Sequence, residues 1–249
     1  MQTVIPKTSA ALSSLLRADF KTQWRNRRSV VLLLLVPVII LISWKGLIAK
    51  MGGAFALSTC ITIGLTAIGL MGYSNAIARD RDKGVFQRLR VTPVPTWSIM
   101  VSRLIVQLIL ILVVTTAVFV VGSEYDKVNL TPAGYALTYL TAFVGGALYL
   151  SLGQMIVGLV KNAETVNSTT RLVYFLFIMV GMFGDLGVLG EELKKIIHWS
   201  PYGTVKAILA ASMQPSNWTN DTSLALLATI AYAVAFAYLG IKNFRWNSQ

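Results

Sequence analysis

Residues 78–95 read ARDRDKGVFQRLRVTPVP, the densest charge cluster in a sequence of 249 residues. Arg79, Arg81, Lys83, Arg88 and Arg90 stand there against Asp80 and Asp82, and long apolar runs flank the cluster on both sides. The first half alternates in sign, and Gly84 separates it from a second half where Val85, Phe86, Leu89 and Arg90 recur at helical spacing. That spacing predicts a short amphipathic helix. Thr92, Pro93 and Pro95 should stop it, because proline lacks a backbone donor and disfavours helix at the residue before it. A short amphipathic helix between two membrane spans must lie at the bilayer surface or dock onto something beneath it.

Composition narrows the class. With 55% hydrophobic and 13% charged residues the chain is too apolar for an ordinary soluble domain. The net charge of +12 would suit nucleic acid or an anionic surface. However, the basic residues flank apolar runs, and no aromatic-interleaved basic face or finger motif occurs, which argues against nucleic acid. The single cysteine, Cys60, lies inside an apolar run and reads as packing, with neither a disulfide framework nor a metal cluster.

Working outward, residues 11–28 carry Leu12, Leu15, Leu16, Phe20 and Trp24 on one helical face and Arg17, Lys21, Arg25 and Arg28 on the other. This is the pattern of a helix lying in the membrane interface, and equally of a positive flank that orients the next span. Residues 30–47 are the first spanning candidate, slightly short for the ~20 residues a helix needs, with a kink expected at Pro37. Further spans are expected at 54–76, 97–121 and 135–160, with glycines that let helices approach closely. A fifth starts at 172–180, after a polar connection at 161–171, and should break at the glycines that begin with Gly181. Residues 191–199 and 202–211 read as two short helices, the second capped by Ser200 with Pro201 at its first position. Neither is long enough to cross, so residues 190–221 read as an extracellular or re-entrant pair. His198 in that pair reads as structural. The last span is 224–239.

The expected fold is thus an all-α membrane protein of six transmembrane helices, with an N-terminal amphipathic interface helix and a re-entrant helical pair before the last span. Residues 1–29 form a cytoplasmic tail with the interface helix, and 30–249 a single transmembrane domain. On this topology one side holds 16 Lys/Arg against four acids, and the other six against six. The whole excess falls on one face, which the positive-inside rule assigns to the cytoplasm together with both termini.

Function is approached by exclusion. The chain has no phosphate loop of the Gly-x-x-x-x-Gly-Lys-Ser/Thr type, no paired carboxylates or His/Cys cluster inside its spans, and few intramembrane ionisable residues. Enzymatic and ion-coupled chemistry therefore have no obvious home, and a transporter without its own energy source needs a docking surface for a partner.

Residues 77–95, IARDRDKGVFQRLRVTPVP, resemble the pattern of ABC-2 type permeases: an alternating Arg/acid run, a Lys-Gly pair, then a short helix ending in Thr-Pro. Asp80 and Asp82 stand where that family usually has glutamates. The resemblance extends over the chain and is closest to compact, drug-export-like members. It implies a subunit of an exporter in the cell membrane, with no catalytic, cofactor or metal site of its own. Two such permease chains, alike or different, pair among membrane lipids, and two separate ATP-binding-cassette subunits bind ATP and Mg beneath them. Arg79, Asp80, Arg81, Asp82, Lys83, Gly84, Val85, Phe86, Leu89 and Arg90 would form the coupling element, the charges pairing with the ATPase and Val85, Phe86 and Leu89 filling an apolar pocket on it. Leu16, Arg17, Phe20, Trp24 and Arg25 would mark the interface helix. Phe143, Tyr149, Met155, Tyr174 and Phe177 make the fourth and fifth spans rich in aromatic and sulfur side chains, suited to hydrophobic or amphipathic cargo or simply to packing. A non-transporting membrane scaffold and a lipid-acting membrane enzyme stay open as other readings.

Overall fold

The computed structural model describes residues 8–25, 27–90, 96–185, 187–188 and 190–244. Among these residues the secondary structure is helical, with no strand. The expected stop at Thr92, Pro93 and Pro95 lies outside the described residues, as does the side chain of Arg90.

Among the described residues, five helical stretches are long and apolar enough to cross a membrane. The first is a continuous rod, Gly53–Asp82, made of α4 (Gly53–Thr66), a π-helical segment (Ala67–Ser74) and α5 (Asn75–Asp82). The others lie in α7 (Thr96–Tyr125), α8 (Pro132–Leu159), α9 (Ala163–Asp185) and α12 (Asn220–Asn243). The first expected span is divided. Arg27–Ser43 (α2) has 17 residues and continues through Pro37, and the interruption falls at Trp44, after which α3 (Lys45–Met51) begins. At ~1.5 Å per residue α2 alone reaches only about 25 Å, short of a ~30 Å hydrocarbon core.

α8 and the α4–α5 rod form the centre. α8 packs against α12, the π segment and α11 (Pro201–Met213), while α1 (Thr8–Arg25) lies along α7. The π segment shows why glycine is needed here. Ser74 Oγ donates to the carbonyl of Gly69, five residues back, at 2.8 Å. A Cβ on Gly153 of α8 would lie 2.5 Å from both that carbonyl oxygen and Ser74 Oγ. The two backbones approach as closely as membrane helices allow when small residues face each other.

The polar stretch 161–171 is not a mere connection. α9 begins at Ala163, where Asn162 Oδ1 accepts from the Glu164 amide at 2.7 Å, and runs unbroken through Gly181 and Gly184. These two glycines leave room for Tyr202 and Ile197, and the chain turns beyond them at Gly187 and Gly190, with φ of 72° and 90°. The two short helices after it differ. α10 (Glu191–His198) lies mostly on the surface, whereas α11 buries most of its length among α8, α12 and α4. Ser200 caps α11 by accepting from the Gly203 amide at 3.2 Å, with Pro201 at the first turn. His198, read as structural, pairs through Nε2 with Asp221 Oδ2 at 2.9 Å and so ties α10 to the start of α12.

Candidate functional site: a charged junction at one end of the bundle

α5 ends at Asp82, and Gly84, at φ 66°, turns the chain into α6 (Val85–Arg90). The Gly84 amide donates to the Arg81 carbonyl at 3.0 Å, closing the helix end. A left-handed residue at this point is the ordinary way for a helix to stop, and glycine takes it without strain.

Arg81, which alternation alone would leave in solvent, is buried (3% exposed). Its Nη1 donates to the Val157 carbonyl at 2.7 Å, and Nη2 to those of Val160 and Lys161 at 2.9 and 2.5 Å. These are the orphan carbonyls at the C-terminus of α8, where the helix dipole favours a cation. Its neighbour Asp82 accepts from the Ala163 amide, at the start of α9, at 3.3 Å. Adjacent residues of opposite sign thus hold the two ends of the α8–α9 turn, each matched to the partial charge it meets.

Asp80 points elsewhere, forming a salt bridge with Arg103 of α7. The guanidinium of Arg103 also lies 5.2 Å from the centre of the Phe86 ring, within cation–π range. Phe86 is wholly buried and meets Phe244 edge-on at 5.9 Å. One residue before Arg103, Ser102 donates to Asp19 of α1 at 2.6 Å. One end of α7 therefore grips α1 through Ser102, α5 through Asp80 and α6 through Phe86. Burial pushes the Asp19 carboxyl above its usual range, the Ser102 hydrogen bond and the Arg103 charge oppose that shift, and Asp80 adds to it.

The residues expected to meet a partner thus divide. Arg79, Asp82 and Lys83 are exposed, while Val85 and Leu89 line a cavity of about 480 Å³ between α1, α5 and α7. Arg81 and Phe86 face inward, so Phe86 is committed to a pocket within its own chain rather than available to fill one on a partner. Arg88, exposed, donates to the Lys83 carbonyl at 2.7 Å. Sequence reading passed over Arg103 as a junction residue. Its only mark was a basic side chain near the start of a long apolar helix.

On α1, Phe20 and Trp24 stack at 6.4 Å and stay exposed, and with Leu16, Arg17 and Arg25 they border an apolar groove against Ile105 and Ile109 of α7. Among the residues considered for a path, Tyr149 is fully buried, its hydroxyl directed to the Pro201 carbonyl at 3.4 Å and its ring 6.4 Å from Phe177. Phe143, Met155 and Phe177 are partly buried against the core, and Tyr174 borders a groove between α2 and α9. These five residues do not line one common cavity among those described.

A multi-pass helical membrane protein with a charged, internally braced helix–turn–helix at one end is the class these features define. A sequence model of the ABC-2 type transporter family matches residues 10–205, and the chain belongs to that family. Membership makes it a transporter permease and implies association with an ABC-type ATPase. The chain is also similar, at 23% identity over 89% of its length and 92% of the relative's, to a Bacillus subtilis (strain 168) protein named "Putative transport permease YvfS".

Proposed function

We propose that the chain is the membrane subunit of an exporter that moves a hydrophobic or amphipathic substrate out of the cytoplasm, drug-like compounds, lipids and glycoconjugates being the classes considered. ATP and Mg would bind to two separate ATPase subunits, and a second permease chain, identical or not, would complete the assembly. In this reading the protein sits in the cell membrane with both termini cytoplasmic. Residues 1–29 are the cytoplasmic tail and interface helix, and 30–249 the transmembrane domain. α2 together with α3 supplies the sixth crossing, and α10 with α11 the outer, re-entrant pair.

The observation that carries this reading is the bracing of the α5–α6 turn. Arg81, Asp80 and Phe86 fix it to α8, α7 and the chain's own core. Asp82, Lys83 and Arg88 remain exposed on it. A force applied to that exposed face would reach α7 and α8 without being lost in a flexible loop. The residues that touch the ATPase are the exposed ones, and the buried ones transmit.

The test is purification from native membranes with the ATPase subunits retained, comparing the native chain with the pair of substitutions Lys83→Glu and Arg88→Glu. The variant should insert and fold yet lose the ATPase. Undiminished co-purification and substrate-stimulated ATP hydrolysis in the variant would remove this surface from the coupling role.

A further inference from the structure

A groove of about 590 Å³ lies between α2, the π segment with α5, and α9. That volume falls within the roughly 300–1,000 Å³ usual for small-molecule sites. The groove is chemically graded along its length. α9 starts beside Asp82, and its lining residues run from Asn167 and Arg171 near that end to Ile178 farther on. The opposite wall runs antiparallel, from Arg79 and Asn75 back to Ala67. Both walls are therefore cationic and amide-bearing at the end near Asp82 and apolar beyond it, where Val36 and Ile40 of α2 close the side.

No acidic residue lines the groove, and neither Arg79 nor Arg171 forms an ion pair among the described residues. Arg79 uses only its Nε, donating to the Asn75 carbonyl at 3.2 Å, which fixes the guanidinium and leaves its Nη groups without a partner among the described residues. Two guanidiniums suit a carboxylate, sulfate or phosphate through paired, charge-assisted hydrogen bonds, and they repel an amine. At the mouth Phe175 is 58% exposed, so the apolar half opens on the lateral surface of the bundle, from which a hydrocarbon tail can enter. The wall facing α9 contains the π segment, a departure from α geometry that occurs often at functional sites.

We propose that this groove binds a single-tailed anionic amphiphile, its head held by Arg79 and Arg171 and its tail lying along the apolar wall. This narrows the substrate class of the exporter reading and rests on that reading for transport, although binding itself does not depend on it.

The experiment is native mass spectrometry of the full chain released from a neutral detergent. The probes are lysophosphatidylglycerol and lysophosphatidylcholine of the same acyl length. One lysophosphatidylglycerol per chain should be retained, with about tenfold preference over lysophosphatidylcholine, the scale expected for a charge-assisted hydrogen-bonded pair. The double variant R79Q/R171Q should lose the preference, while K242Q, a control at another cation, should keep it. Ile40→Trp, which fills the apolar wall and leaves the arginines intact, should weaken retention. Equal retention of the two lipids, or a preference that survives R79Q/R171Q, overturns the proposal. So does complete displacement by inorganic phosphate at equal concentration, which would make the site one for a free anion. Selective binding with no effect of lysophosphatidylglycerol on ATP hydrolysis by the reconstituted permease–ATPase complex would uphold the site and count against the transport reading.

Discussion

Arg81 of α5 donates to the carbonyl of Val157 in α8 at 2.7 Å, a hydrogen bond between residues 76 apart in the chain. With its bonds to Val160 and Lys161 it caps α8 from outside that helix, doing through a side chain what a local C-cap would do through the backbone. The α5–α6 turn is therefore anchored to α8, at the centre of the bundle.

Removing that anchor should be costly. Arg81→Ala leaves three carbonyls without their donor, and we expect a loss of about 2–3 kcal/mol, the scale of a buried hydrogen bond to a charged group. Arg81→Lys keeps the charge but not the fork and should fall between. Thermal unfolding in detergent measures both. A midpoint for Arg81→Ala equal to that of the native chain would show that the cap carries no stability.

Asp80 and Arg103 should behave as a coupled pair. Asp80→Asn and Arg103→Gln, alone and combined, form a double-mutant cycle, and we expect a coupling energy of about 1–2 kcal/mol for this partly buried bridge. Arg103→Gln should cost more than Asp80→Asn, because it also removes the cation beside Phe86. Simple additivity of the two changes would refute the linkage between α5 and α7.

Phe86→Ala should act through folding. Emptying a fully buried phenylalanine site typically costs about 3–5 kcal/mol, whereas exposed substitutions such as Lys83→Glu stay within roughly 0.5 kcal/mol. Both kinds of variant should lose stimulated ATP hydrolysis, the first together with its melting midpoint and the second without it. A Phe86→Ala protein of native stability that was still uncoupled would place the ring at the partner after all.

Gly153→Ala tests the tight crossing of α8 and the π segment. A methyl group there would lie 2.5 Å from the Gly69 carbonyl oxygen, and backbone can give way only by moving a helix. We expect a loss of about 1–3 kcal/mol, typical of overpacking. Gly46→Ala, with open space around it, is the control and should be nearly neutral.

Asp19 gives the docking of α1 a pH dependence with a definite sign. Because burial raises its folded-state pKa above the usual 3.8, the stability it contributes is complete below that value and is lost as pH rises through the raised one. At neutral pH the buried carboxylate therefore weakens the docking that its hydrogen bond to Ser102 supports. Asp19→Asn should flatten the pH dependence between the two values and leave neutral stability equal or higher. Protection of α1 from protease across pH would reveal this, and an unchanged profile in the variant would assign the dependence elsewhere.

What the sequence determined by itself was local or compositional. The helical membrane class, the break at Gly84 and the cap formed by Ser200 and Pro201 all follow from composition or from residues within a few positions of one another. Long-range pairing was not legible there. The same Arg/Asp alternation is compatible with a solvated loop, a partner surface or an internal brace, and only packing sends Arg81 to α8, Asp80 to α7 and Asp82 to α9. His198 likewise finds Asp221 only because the fold brings the last residue of α10 to the first turn of α12. The start of α9 at Ala163 was hidden because its polar first turns look like a loop until α5 supplies the surface they lie on. Helix propensity and hydropathy act over a turn or a span, whereas a buried charge is tolerable only where distant backbone groups satisfy it, and the tertiary structure alone brings those groups together.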